Sequence, residues 1–317
     1  MSTLSGTASA CGLLLGYAAD QVFGDPRRYH PVAGFGRLAT AWEERIYADR
    51  RAAGVAYVLV LVGGSVALGA WVDRLTRRRP VWRVLTTAAA TWAVLGGRSL
   101  RREAGRVAAQ LAAGDLPAAR DQIRSLVGRD PTDLGAEELA RACVESVAEN
   151  TSDAVVAPLL CGAVGGVAGL IGYRAVNTLD AMVGHRSARY RQFGWAAARL
   201  DDAANWVPAR LAGALAICSA RVVDGSSRAA WRTVRRDAGA HPSPNAGVVE
   251  AAFAGALGVR LGGTNVYEGR VEDRGTLGDG RSLQLSDIAR ACRLALVVSL
   301  ATAGLAVAAR ALTGVSR

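Results

Sequence analysis

Ala52-Ala53-Gly54-Val55-Ala56-Tyr57-Val58-Leu59-Val60-Leu61-Val62-Gly63-Gly64-Ser65-Val66-Ala67-Leu68-Gly69-Ala70-Trp71-Val72 runs from Arg51 to Asp73 without one charged side chain. At about 1.5 Å per residue, a helix of that length crosses the roughly 30 Å hydrocarbon layer of a bilayer. A second uncharged run, 154–173, lies between Asp153 and Arg174, with Pro158 in its first turns. In it Gly162 with Gly166, and Gly165 with Gly169, satisfy GxxxG. That spacing lets two helices approach closely in lipid, so this helix is expected inside a bundle. Shorter apolar runs at 84–97, 205–220 and 294–309 are weaker candidates; Arg83 and Arg210 stand near ends of the first two, where a long side chain can snorkel to water. The expectation is four or five spans. Residues 11–22 are apolar but carry Asp20, which leaves the depth of that helix open. Arginines follow both 52–72 and 84–97, so the positive-inside rule does not orient the chain.

The composition agrees with an all-α, polytopic membrane bundle: hydrophobic residues make up 51% of the chain but aromatics only 6%, so the apolar content is mostly Ala, Val and Leu. The net charge of +11 is carried by arginine alone, since the chain contains no lysine. This excludes a GxxxxGK[ST] phosphate loop and any Schiff-base or lysyl intermediate; nucleotide chemistry would rest on arginine and metal. The charge suits anionic lipid or an anionic substrate. The arginines are not interleaved with aromatics as a single-strand platform requires, so no nucleic-acid partner is expected. Cys11, Cys143, Cys161, Cys218 and Cys292 form no CxxC pair and read as buried thiols in a reduced compartment. The first basic residue is Arg27, so no cleaved leader is expected.

One membrane-embedded domain is expected over 1–317. Within it, 98–153 reads as amphipathic helices outside the bilayer: Leu100, Ala104, Val107 and Leu111 share one face, Ala119, Ile123, Leu126 and Val127 a second, and a third helix follows Pro131 with Thr132 or Asp133 as its cap. Residues 221–293 read as long polar loop with short helices. No strand pattern and no internal repeat persists.

Three blocks could carry chemistry. In Glu145-Ser146-Val147-Ala148-Glu149-Asn150-Thr151-Ser152-Asp153, Glu145 and Glu149 stand one helical turn apart, and Asp153 extends the line. Three acids beside an apolar run repel unless a cation holds them, and Mg²⁺ bridging substrate phosphates would do so. After the second run come Arg174, Asn177, Asp180 and His185, then Arg191, Arg199, Asp201, Asp202 and Asn205. Guanidinium forks mixed with acids suit a polyphosphate site; charges pairing with one another in a surface loop would look the same. The third block, His241-Pro242-Ser243-Pro244-Asn245-Ala246-Gly247 followed by Glu250, uses two prolines to fix a turn that aims His241 and Asn245.

Together these blocks resemble the CobD/CbiB family of adenosylcobinamide-phosphate synthases. The matching pieces run in order along most of the chain: Phe23-Gly24-Asp25-Pro26 with His30-Pro31-Val32 and Gly36; Val127-Gly128-Arg129-Asp130; Glu145 through Asp153 with Ala157-Pro158; Tyr173 through Asp180; Phe193-Gly194-Trp195 through Asp202; Pro208-Ala209-Arg210; and His241 through Gly247. The sequence departs from that pattern at Val248-Val249, before Glu250, and at Pro131.

The resemblance implies ATP-dependent amide ligation of aminopropanol, usually as its phosphate, to adenosylcobyric acid, a corrinoid, giving adenosylcobinamide phosphate at the cell (inner or plasma) membrane. On that reading Glu145, Glu149, Asp153 and Asp180 position Mg²⁺ and ATP, with Glu145 and Glu149 at the catalytic centre. Arg174, Arg191 and Arg199 hold anionic oxygens, with Asn150, Asn177, Asp201, Asp202 and Asn245 as further substrate contacts, and His185 or His241 accepts the amine proton. Contacts with other cobalamin enzymes, and self-association, are left open. Two rivals are a transporter, against which stand the position of the charged blocks outside the runs and the lack of repeated halves, and a non-catalytic scaffold for cobalamin enzymes.

Overall fold

A run of 21 uncharged residues has no way to satisfy its backbone in lipid except as a helix, and 52–72 is the middle of one, Arg51–Thr76. The structure, a computed structural model, describes residues 2–25, 30–185, 187–267 and 270–313. Helices α1 (Ser2–Phe23), α2 (Pro31–Ile46), α3 (Arg51–Thr76) and α4 (Pro80–Val94) are followed by α5 (Gly97–Ala112), α6 (Leu116–Ile123) and α7 (Ala136–Thr151). A π-helical turn, Ser152–Val156, leads into α8 (Ala157–Val183), and then come α9 (Tyr190–Phe193), α10 (Trp195–Ala204), α11 (Trp206–Cys218), α12 (Ser227–Asp237) and α13 (Ala246–Leu257). Strands β1 (Leu261–Tyr267) and β2 (Arg270–Leu277) and helix α14 (Leu285–Thr313) complete the chain. The contacts divide it into two units, one of Met1–Gly96, Ala157–Asn205 and Thr302–Arg317, the other of Gly97–Val156 and Trp206–Ala301.

In the first unit α3 lies against α8, and Tyr57, Leu61, Leu179, Val183 and Phe193 form its core. The opposite face of α3 leaves Leu59, Val60, Leu68 and Trp71 exposed, which suits hydrocarbon rather than water. Helices α1 and α4 pack through small residues: a Cβ on Gly12 would meet Thr87 Cβ at 2.6 Å, and one on Gly16 would strike Thr91. The Gly12-x-x-x-Gly16 spacing is therefore the close-approach face, in a helix whose depth the sequence left open. Arg83, expected to snorkel, is instead buried: its Nε donates to Ser9 Oγ at 2.7 Å, and its guanidinium sits 3.5 Å from Asp73.

The run 154–173 is not a straight span. Gly166 has φ +62° and ψ −143°, so α8 is two helical arms joined at a tight turn, and the chain folds back far enough that a Cβ on Gly169 would strike the Cys161 carbonyl. The closely spaced glycines serve that reversal rather than a contact between separate helices. Breaking a helix in an apolar setting orphans its end groups. Here Arg310 Nη1 donates to the carbonyls of Ala163 (3.3 Å) and Val164 (3.4 Å) at the end of the first arm, and Asp73 Oδ2 accepts from the Ala168 amide (3.3 Å) at the start of the second. A cation at a helix C-terminus and an anion at an N-terminus also match the dipoles of both arms.

Among the described residues three helices are long and apolar enough to cross a membrane: Arg51–Thr76, Ala136–Val183, which contains the break, and Leu285–Leu312. The runs expected at 84–97 and 205–220 form helices of 15 and 13 residues, only about 20–22 Å long and short of an upright crossing.

In the second unit α5, α6 and α7 bury the expected apolar faces, through Leu100, Ala104, Val107, Ala119 and Ile123. The cap of α7 differs: Glu138 accepts from the Gly135 amide, while Thr132 is held by Asp130. The segment 221–293 is more ordered than a polar loop. Every residue of α13 but Val248 is buried, and β1 and β2 pair antiparallel, Leu261 opposite Leu277, with a register break between Gly262 and Thr264. Glycines and that break interrupt the alternation by which a strand is read. Of the cysteines expected to be buried, Cys143 is, but Cys11 and Cys218 lie on outward faces of apolar helices.

Replacing Gly166 by Ala should cost about 1–2 kcal/mol, since a left-handed φ is strained for any L side chain and the new Cβ meets Asp73 Oδ2 at 2.8 Å. Gly165→Ala, with nothing within 4 Å, is the control. Thermal unfolding in detergent measures both, and equal midpoints would remove the hairpin tip.

Candidate active site

The second unit buries an unusual number of charges in one place. Glu145 projects from α7, and its Oε2 meets Arg129 Nη2 at 2.8 Å, with side chains only 5% and 3% exposed. Its Oε1 accepts from the Gly262 amide at 2.8 Å, so β1 and the loop before α7 both converge on this carboxylate. Arg129 Nε and Nη1 are buried without a hydrogen-bond partner. Glu149, one turn beyond on α7, is half-buried, and among the described residues its carboxylate takes no hydrogen bond or ion pair.

Glu250, on α13, is fully buried, and neither of its oxygens is hydrogen-bonded. Its Oε1 is 3.7 Å from His241 Nε2 and 3.9 Å from Arg274 Nη1. Burial, and then the like charges of Glu145 and Glu149, hold the Glu250 carboxyl well above the usual range, against the pull of Arg274 and Arg129. Burial, and then the charge of Arg274, push the His241 imidazole down to about 4. His241 Nδ1 lies 3.0 Å from the Ser243 amide nitrogen and 3.3 Å from the Ser243 carbonyl oxygen, and Nε2 faces Glu250. The centre thus holds three glutamates, two arginines and one neutral imidazole.

Of the residues singled out in the sequence, Glu145, Glu149 and His241 enter this centre. Asn150 donates to Ser146 O and Oγ on its own helix, and Asp153 lies in the π-helical turn. Asn245 precedes α13 and accepts from Arg210 Nη1 at 3.0 Å. The others belong to the first unit. Arg174 Nη1 reaches Asn177 Oδ1 at 3.4 Å, and Asp180 closes the end of α8, its carbonyl accepting from the Gly184 amide. Asp201 accepts from Asn205, whose Oδ1 accepts from the Tyr173 hydroxyl at 2.8 Å, a buried line of three polar groups. His185 is exposed against the edge of Tyr190, Arg191 is exposed, and Arg199 makes a surface ion pair with Asp202 at 3.6 Å.

Three members of the centre were not singled out. Glu250 sits in an apolar helix whose only acid it is, a signal that the reading of 221–293 as loop concealed; Arg129 and Arg274 come from loop and strand, where no periodicity marks them. In the first unit Asp25, His30 and Arg174 come near one another: burial lowers the His30 imidazole, Asp25 opposes and Arg174 adds to the shift. Among the described residues no three His, Cys, Asp or Glu side chains gather as a metal cage, and both oxygens of Glu145 are engaged by protein donors.

Fold and site define a helical membrane protein with a buried carboxylate–guanidinium–imidazole centre. The family model described as CobD/Cbib protein matches residues 13–295. Relatives named "Cobalamin biosynthesis protein CobD" include one from Mycobacterium tuberculosis (strain ATCC 25618 / H37Rv), 55% identical over 298 residues that cover 94% of this chain and 95% of the relative. One from Geobacter metallireducens is 46% identical, covering 86% and 87%, and one from Rhodobacter capsulatus is 42% identical, covering 81% and 82%. No solved structure matches. The chain belongs to the CobD/CbiB family of cobalamin biosynthesis.

Because the folded His241 titrates near 4 and an unfolded one near 6.5, the folded state binds fewer protons between those values. Stability is retained above pH 6.5 and lost as pH falls towards 4, by on the order of 3 kcal/mol. Glu250 acts oppositely, its raised value removing stability as pH rises above about 4.5. Unfolding midpoints in detergent across pH should lose their acid-side slope in His241→Gln; an unchanged slope would contradict the neutral buried ring.

Proposed function

We propose that this chain is an ATP-dependent amide ligase that joins aminopropanol, as its phosphate, to the propionate carboxylate of adenosylcobyric acid, in a multi-pass protein of the cell membrane. Family membership supports the pathway. The observation that carries the chemistry is the buried centre, in which Glu149 alone among three glutamates is both partly exposed and, among the described residues, unengaged by a protein donor.

A carboxylate is a poor electrophile, so it must be activated. A propionate oxygen attacks the γ-phosphorus of ATP, forming a C–O–P link as the bond to ADP breaks. The amine then attacks the acyl carbon, the C–N bond forms, phosphate leaves with the C–O electrons, and the amine nitrogen sheds a proton. Electrostatic stabilisation of the phosphoryl charge has to come from fixed cations. In this chain those are guanidinium groups, and Arg129 offers two unpaired N–H positions at the centre. ATP brings its own Mg²⁺, and no step is assigned to a metal held by the protein.

Glu149 is assigned to contact and orient the incoming amine. His241, neutral at working pH and 3.7 Å from Glu250, is assigned to the proton relay in preference to the exposed His185. Arg174, beside Asn177, is assigned to an anionic group of substrate.

The test is single-turnover assay of purified protein in detergent with adenosylcobyric acid, aminopropanol phosphate, ATP and Mg²⁺, read by the mass of the corrinoid. ATP-dependent gain of the aminopropanol phosphate unit is expected. Glu149→Gln should lower it at least about 100-fold with an unchanged melting curve. Full turnover in that variant would end its catalytic assignment, and no gain by folded wild type would favour a scaffold.

A further inference from the structure

Helix α12 carries chemistry that the ligase reading does not use. Its inner face, Ala230 and Thr233, is buried against α13. Its outer face places Arg228, Arg232 and Arg235 at i, i+4 and i+7, all exposed, with Trp231 beside them at 52% exposure and the Arg235 guanidinium 5.9 Å from its ring. None of the three forms an ion pair within 4 Å of an acid among the described residues, although the Arg232 charge reaches Asp279, which Arg236 already holds. Between 221 and 237 four arginines besides Arg236 accompany two acids, and one of those, Asp237, is already taken by Arg236. A surplus of positive charge on an exposed face costs self-repulsion unless something anionic meets it.

The level of this helix relative to the last apolar helix is also fixed. Asp287 and Arg290 lie in the first two turns of α14, just before the apolar run 294–309. Arg290 Nη2 donates to the Val223 carbonyl at 2.6 Å and its Nη1 to the Leu257 carbonyl at 3.0 Å, while Asp287 receives Arg290 and Arg281 at 2.7 Å each. The 3₁₀ turn Ala220–Val223, three residues before α12, is thereby stapled to the point where α14 turns from charged to apolar. In a chain whose α14 is long and apolar enough to cross a membrane, that point is the boundary between hydrocarbon and headgroups. Tryptophan and arginine side by side on an exposed face are the residues that boundary favours.

The geometry points to the outer face of α12, Arg228, Trp231, Arg232 and Arg235, as a docking surface for anionic phospholipid headgroups. The indole lies at the hydrocarbon edge, and the guanidinium groups take phosphate oxygens through their planar forks. A phosphate on a lipid is held at this level by its acyl chains, so three modest contacts add at one place.

Native mass spectrometry of the full-length protein in detergent, titrated with phosphatidylglycerol or phosphatidylcholine, reads the proposal. Wild type should retain phosphatidylglycerol in preference to phosphatidylcholine. Arg228→Gln/Arg232→Gln/Arg235→Gln should bind it at least tenfold more weakly, and Arg228→Gln alone several-fold more weakly. The lysine triple variant should largely keep binding. Arg236→Gln, which removes a guanidinium already paired with Asp237 and Asp279, should match wild type. Equal retention by wild type and the triple glutamine variant, or no preference for the anionic lipid, would overturn the assignment. Tighter capture of a short single-stranded oligonucleotide by the same three arginines would transfer the face to nucleic acid.

Discussion

A charge removed from water must meet an opposite charge or a full set of hydrogen bonds, and at three buried places in this chain that need is met by arginine. Arg83 meets Asp73, Arg129 meets Glu145, and Arg281 with Arg290 meets Asp287, each acid being buried or largely so. These pairs tie together segments far apart in sequence: Asp73 receives Arg83 and the Ala168 amide, and Glu145 receives Arg129 and the Gly262 amide. Removing one member of such a pair leaves the other charge buried alone, which costs far more than the pair itself contributes. Arginine suits this task because it cannot discard its proton, whereas a buried lysine can. The absence of lysine thus has a structural consequence besides the chemical one.

The same constraint sorts what could be read from sequence. Long apolar runs are legible because hydropathy alone decides them, and 52–72 and 294–309 lie within α3 and α14 as expected. The amphipathic faces of α5 and α6 were legible for a similar reason, a 3.6-residue period. The break at Gly166 was not, because GxxxG is equally compatible with two helices meeting and with one helix folding on itself. What decides between them is the pair of partners waiting at the tip, Asp73 and Arg310, and they stand 93 and 144 positions away in the chain. Helix α13 was hidden because its flanks, rich in Gly, Pro and Arg, gave the whole segment a polar cast.

Of the site, local spacing gave what local spacing can. Glu145 and Glu149 were placed together because one helical turn separates them, and His241 because two prolines fix its turn. Arg129, Glu250 and Arg274 come from three different elements, and only the tertiary fold brings them to the glutamates. The surface arginines Arg191 and Arg199 illustrate the reverse error of emphasis: their charge is conspicuous in sequence, but it sits in solvent, where an ion pair such as Arg199–Asp202 contributes little.

Within the centre the environments of the three glutamates are pushed apart, and that separation bears on their roles. Glu145 has one oxygen on a guanidinium and the other on a backbone amide, so both are occupied within the protein. Glu250, without a hydrogen bond and beside two other carboxyls, is driven towards its neutral form, and its nearest polar neighbour is an imidazole driven towards its own neutral form. Two adjacent groups that both resist charging can exchange a proton with little change in net charge, which is how a buried relay avoids a desolvation penalty at each transfer. On the proposed ligase reading Glu149, partly exposed and without a competing protein donor among the described residues, is the one left to meet a substrate. The distribution of roles follows from which carboxylate each arginine reaches, and that is set by the loop before α7 and by β2 rather than by the helix that carries two of the three acids.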